Sequence, residues 1–218
     1  MTTRVVKRYT AMNLSSPISS VVPGVPGVIL QVLARTAQPL TGSKIADLVA
    51  PRWSRAGVTK ALHGLVESGL VICMPAGRAN LYTLNRKHVA ASAMLELSQL
   101  RATLIDRIAA AVRAWPTAAT SVYVYGSLAR GSGSNASDID LLIVRPAQVR
   151  ESDEKWSSQT IRLAERVHEW SGNHCEILQY TAVELQRLAK RKDALISSLR
   201  KDAQLIAGQR VRGLLEPR

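Results

Sequence analysis

Apolar residues from Val28 to Ala34 recur on one side of a helix. The same spacing returns between Ser54 and about Ser68, where Val58, Leu62, Leu65 and Val66 form one stripe. Arg55, Thr59, Lys60 and His63 fall outside that stripe. Between the two runs, Thr41 or Ser43 is placed to cap a further helix that Pro51 ends, while Ser54 and Gly69 suit the two ends of the third. The period then shortens. Val71 to Met74 and Leu81 to Leu84 read as strands, and the Pro-Ala-Gly-Arg-Ala-Asn segment between them predicts a hairpin with Arg78 near its tip. From Lys87 to Trp115 there is no Pro or Gly. Met94, Leu97, Leu104, Ile108, Val112 and Trp115 keep helical spacing, so one long connecting helix is expected over residues 87–116.

Beyond Pro116 the pattern alternates. A β-prone run from Ser121 ends at Gly126-Ser127, a Gly/Ser-rich loop follows, and a strand begins at Asp138-Ile-Asp140. A helix is predicted over Ser152 to Trp170, with Trp156, Leu163, Val167 and Trp170 on its apolar face. Gly172-Asn173 then turns the chain into a strand over His174 to Tyr180. Thr181 and Glu184 have the spacing of a capping box that opens another helix. Three helices with a hairpin, followed by mixed strands and helices, predict an α+β chain with domains at 1–86 and 117–218 joined by the helix at 87–116.

Composition narrows the function classes. With 218 residues, 46% of them hydrophobic, the chain can bury one large or two small cores, and disorder of the whole is excluded. The formal net charge of +13 calls for an anionic partner. It is unevenly spread: residues 1–85 carry nine Lys/Arg against two Asp/Glu, whereas residues 119–218 carry fifteen against twelve. No apolar run reaches the roughly 18 to 20 residues of a membrane span, and Met1 to Ser20 lacks the continuous apolar stretch of a signal peptide. Cys73 and Cys175 form neither a disulfide framework nor a CxxC zinc motif. A cytoplasmic protein is expected.

The stretch from Ser121 to Val144 carries the chemistry. Side chains alternate along a strand, so Asp138 and Asp140 share one face while Ile139 and Leu141 point to the core. Two crowded carboxylates repel unless a cation lies between them, and all-oxygen ligands beside a phosphorylated substrate favour Mg²⁺. Gly126 permits a tight turn, and Ser127 offers a hydroxyl and an N–H where a helix begins, a suitable place for phosphate. His63, His88 and His168 are isolated in sequence. His174 and Cys175 fall on opposite sides of a strand, which disfavours a Cys-His nucleophile pair.

Two resemblances follow from these residues. Residues 24–86, and above all Ser54-Arg-Ala-Gly-Val-Thr-Lys-Ala-Leu-His-Gly-Leu-Val-Glu-Ser-Gly-Leu-Val, resemble the winged helix-turn-helix of MarR-like regulators. That implies a DNA-binding face of Arg55, Thr59, Lys60, His63 and Arg78, and it allows a homodimer. The Gly126-Ser127 turn, Ala129-Arg130-Gly131 and the later Asp138-x-Asp140 resemble the DNA polymerase β-like nucleotidyltransferases, most closely the minimal ones, over residues 118–208. This resemblance implies two Mg²⁺ ions on Asp138, Asp140 and a third carboxylate. Glu176 is the only carboxylate on the next strand, where the family usually has Asp. It also implies triphosphate binding by Gly126, Ser127 and Arg130, and transfer of a nucleoside monophosphate to a hydroxyl of RNA, protein or a small molecule. Many minimal members belong to toxin–antitoxin or defence modules. Two alternatives stay open: a transcriptional regulator that binds nucleotide without turnover, and a winged helix that grips RNA.

Overall fold

The computed structural model describes residues 11–211. The ends of the 1–86 and 117–218 domains, including Arg4, Lys7 and Arg8, lie outside the described residues. By contact the described chain forms two units, one of residues 16–100 and one of residues 11–15 with 101–211.

The first unit contains α1 (Ile18–Val21), α2 (Val25–Ala34), β1 (Leu40–Thr41), α3 (Gly42–Val49), α4 (Arg55–Glu67), β2 (Val71–Ala76), β3 (Ala79–Leu84) and α5 (Ala91–Ser98). The expected caps form: Thr41 accepts from Lys44 N–H and Ser54 from Gly57 N–H, each satisfying an orphan donor of a first turn. The apolar stripe of α4 buries Val58, Leu62 and Leu65, and together with Ile29, Leu30, Leu33 and Ile45 it makes one core. The hairpin strands run longer than their apolar pattern predicts, because Pro75 pairs opposite Asn80. The strand order β1-β3-β2 leaves β2 at an edge, where a missing N–H is tolerated. That leaves a two-residue turn, Gly77-Arg78, with Gly77 at φ +60° as a type II′ hairpin requires. Two elements were not expected: α1, whose first N–H groups include Ile18 donating to Gln31 Oε1, and the two-residue β1.

The segment read as one connecting helix is two, α5 and α6 (Leu100–Arg113). Gln31 Nε2 donates to the Ser98 carbonyl, and the Ser98 hydroxyl donates back to Leu95 O, so the helical ladder is diverted at the break. The halves belong to different units, α5 to the first and α6, from Arg101 onward, to the second.

The second unit continues with β4 (Ser121–Tyr125), α7 (Gly126–Arg130), β5 (Ile139–Arg145), α8 (Glu154–Ser171), β6 (Cys175–Thr181), α9 (Ala182–Lys190), α10 (Ala194–Asp202) and β7 (Gln204–Gly208). Its sheet is mixed, in the order β6-β5-β4-β7, with β5 parallel to β6 and β4 antiparallel to both neighbours. Alternation along the strands builds two core layers. Val122, Val124, Ile139, Leu141 and Ile143 pack with α6 and α8, while Tyr123, Leu142 and Val144 pack with Leu185, Ile196 and Leu199 of α9 and α10. The capping box of Thr181 and Glu184 forms as expected. Residues 11–15 join this unit: Asn173 is 1% exposed and exchanges hydrogen bonds with both backbone groups of Met12, and Leu14 is in the core.

Candidate active site

The sheet brings three acidic or phenolic groups side by side. Asp140 stands opposite Tyr125 on β4 and opposite Glu176 on β6, so the three residues share one face at one end of the sheet. This is the face covered by α9 and α10. Asp138 immediately precedes β5 and is exposed, Asp140 is half-buried and Glu176 is exposed. Asp140 is held above the ordinary carboxylate range, first by burial and then by the negative charges of Glu176 and Asp138, with Arg130 opposing. Burial, followed by the charges of Asp140 and Glu176, also raises the Tyr125 phenol, which stays protonated and able to donate. Cys175 lies under this edge, buried, its thiol pushed up to about 12 by burial and by Asp140 and Asp138. His174 is exposed beside it, so the two face apart as expected.

Gly126 opens α7 directly at the end of β4, with φ +67°. A Cβ there would overlap Asp140 Oδ2 and lie 3.2 Å from its Cγ, so any other residue would be strained at this φ and would have to displace the carboxylate. Ser127 follows in the first turn of α7, half-buried, and its carbonyl accepts from Ser132 N–H at 3.0 Å.

Four residues that sequence reasoning did not single out fix this turn and the aspartate loop. Asp202, at the end of α10, has only 5% of its side chain exposed; it accepts from Gly126 N–H at 3.3 Å and pairs with the Arg130 guanidinium. Arg101 donates from Nε to Leu128 O at 2.7 Å and from Nη2 to Ala129 O at 2.6 Å. Gln204 adds a bond to Ala129 O at 2.9 Å. Asn173 Nδ2 donates to Ser137 O at 3.0 Å, anchoring the residue before Asp138. Only Asn173 had a sequence signal, as a turn residue; the others act across 27 to 76 positions of chain.

The donor set suits a hard cation. Among the described residues no three His, Cys, Asp or Glu side chains converge as a metal cage. Mg²⁺, however, is commonly held by one or two carboxylates together with substrate phosphates and water, and the mutual repulsion felt at Asp140 is what such a cation relieves.

In the first unit, Arg55, Thr59, Lys60 and His63 are all exposed on α4 and Arg78 is exposed at the hairpin tip. Arg55 pairs with Asp47 at 3.0 Å and His63 with Glu67 at 3.3 Å. Exposed pairs of this kind are worth about 0–1 kcal/mol and yield readily to a phosphate. Thr59 turns its hydroxyl onto Arg55 O. Lys60 and Arg78 make no ion pair among the described residues. Arg52, stacked over Trp53 at 5.5 Å, is a further cation of this unit.

Comparison with known proteins agrees with this division. Residues 105–206 match the family model of the nucleotidyltransferase domain, and residues 24–85 match that of the TBPIP/Hop2 winged helix domain. No curated protein matches the sequence. A solved structure described as "Crystal structure of the toxin-antitoxin with AMP-PNP" is similar at 14% identity and a TM-score of 0.35, over 49% of this chain and 74% of that one. The chain therefore combines a winged helix domain with a nucleotidyltransferase domain built on a mixed sheet flanked by helices. Among the described residues no helix is long and apolar enough to cross a membrane.

Proposed function

We propose that this pairing of a nucleotidyltransferase domain with a winged helix domain makes an Mg²⁺-dependent enzyme that moves a nucleoside monophosphate from a nucleoside triphosphate to an acceptor hydroxyl on RNA, protein or a small molecule. One observation carries the reading: Gly126 lies so close to Asp140 that a Cβ at this position would overlap the carboxylate as it stands. That proximity sets the phosphate-binding turn against the carboxylate edge, as reaction at a phosphoryl group needs.

Asp138 and Asp140 would hold the metal, with Glu176 completing the set from β6. Bound Mg²⁺ supplies charge neutralisation on the triphosphate and a lowered pKa for a coordinated hydroxyl. Gly126, whose N–H is taken by Asp202, lets the turn come close to the β and γ phosphates, and Ser127 presents its N–H and hydroxyl to them. Arg130, half-exposed and steadied by Asp202, adds positive charge beside them. The winged helix is read as MarR-like, with α4 in a DNA major groove and Arg78 following the backbone. Autoregulation of a toxin–antitoxin or defence module suits such a pairing.

A second reading, nucleotide sensing without turnover in a transcriptional regulator, is favoured by Glu176, whose longer arm is exposed where the resembled family usually has Asp. Incubation with labelled ATP, CTP, GTP or UTP, Mg²⁺ and a mixed RNA and protein extract separates the two. Label transfer that Asp138→Ala/Asp140→Ala abolishes establishes the enzyme and its acceptor class. Calorimetric nucleotide binding with no transfer selects the sensor.

A further inference from the structure

The opposite layer of the second unit carries a groove that the nucleotidyl-transfer reading leaves unused. It is open, about 400 Å³ in volume, and runs between α6 and α8. Its floor is Ala110, Ala111 and Ala114, small enough to keep it concave, and its walls are Arg107, Arg166 and Trp170. A smaller, more enclosed cavity of about 110 Å³ adjoins it through Ala111 and Arg166 and adds Arg162 and Trp115. The carboxylate edge faces α9 and α10 on the other side of the sheet, so the groove is separate from Asp138 and Asp140.

The charges here are sorted. Arg162, Arg166 and Trp170 repeat every four residues of α8 and fall on one face, while Glu165 and Glu169 are each displaced one position from it. Arg107, Arg162 and Arg166 are exposed and, among the described residues, pair with no carboxylate. Arg166 lies over the Trp170 ring at 4.8 Å. This stack fixes a planar guanidinium whose outer face and N–H edge remain available, a platform for a base with donors for a phosphate. Arg162 and Arg166 are one helical turn apart, about 6 Å along the axis, comparable with the step between neighbouring phosphates of an extended strand.

We propose that the α6–α8 groove binds a single-stranded polynucleotide, with backbone phosphates on Arg107, Arg162 and Arg166 and a base stacked on the Arg166–Trp170 pair. A positive groove combined with a stacking platform is the usual arrangement for single strands, whereas a duplex offers no unstacked base. The proposal does not depend on catalysis, since neither the carboxylates nor the phosphate turn takes part.

The test uses the full chain and a fluorescein-labelled 12-nucleotide oligo-U, followed by anisotropy across a salt series. Arg107→Gln/Arg162→Gln/Arg166→Gln is expected to weaken binding at least tenfold and to lower the slope of log K against log salt by about 2. Arg166→Lys, which keeps the charge and loses the plane, is expected to weaken binding several-fold with an unchanged slope. All three positions are exposed, and an unchanged thermal melt verifies folding. Three results overturn the proposal: no oligo-U binding by the parent at low salt, a triple variant that binds as the parent does, or polyglutamate competing as well as the oligonucleotide. None of these bears on label transfer from a triphosphate, so this inference and the enzymatic reading fail separately.

Discussion

Replacing Gly126 with alanine tests the contact on which the geometry of the candidate site rests. Two costs combine. A non-glycine residue at φ +67° costs about 1–2 kcal/mol, and forcing a methyl group into the space held by Asp140 Oδ2 adds about 1–3 kcal/mol of overpacking. Thermal melting of the full chain, read by circular dichroism, should then fall by about 4–20 °C, at about 2–4 °C per kcal/mol for a chain of this size. The two costs separate in a double-mutant cycle. In an Asp140→Ala background the carboxylate is gone, only the backbone term of about 1–2 kcal/mol remains, and the melting shift should shrink accordingly. Equal shifts in both backgrounds would show that Gly126 is required for its backbone angle alone, and the argument that the turn is seated against Asp140 would be lost.

Two further predictions follow from other residues. Asp202→Asn keeps an oxygen for Gly126 N–H and removes the charge facing Arg130. Since Arg130 is half-exposed, a loss of only about 1 kcal/mol is expected, about 2–4 °C in melting, with several-fold weaker calorimetric affinity for a nucleoside triphosphate. No change in either would take Asp202 out of the site. For the winged helix, Arg55→Ala/Lys60→Ala/Arg78→Ala should lower the salt slope of duplex DNA binding by about 2–3 in a mobility-shift series, and a slope equal to the parent's refutes that surface.

What could be read from the sequence depended on how locally each feature is determined. The caps at Thr41, Ser54 and Thr181 were legible because side chain and orphan N–H lie three residues apart. The Gly126-Ser127 turn was legible from the end of its strand, and the face of Asp140 from alternation along β5; Asp138, expected as the first residue of that strand, lies just before it, so alternation does not set its direction. The break at Gln99 was not. It depends on Gln31, 67 positions from Ser98, taking a carbonyl that an uninterrupted helix would have used. Asp202 was hidden for the same reason: an acidic residue late in a basic amphipathic helix carries no local mark of its partner 72 positions earlier. The basic groove was not legible because its arginines are divided between α6 and α8, and Arg162 and Arg166 are interleaved in sequence with Glu165 and Glu169.

The attachment of Met12 and Leu14 to the second unit changes how the chain can be cut. Because residues 16–100 lie between two stretches of that unit, the winged helix is an insertion rather than an appendage. A shortened protein starting near residue 87 would lose residues 11–15 as well, leaving Asn173 without both Met12 partners and opening a hole where Leu14 packed. The better dissection is an excision: keep residues up to 15, remove 16–100, and rejoin the chain through a flexible tether to Arg101. By the same topology, a single protease nick in either crossing leaves the winged helix still covalently leashed to its partner.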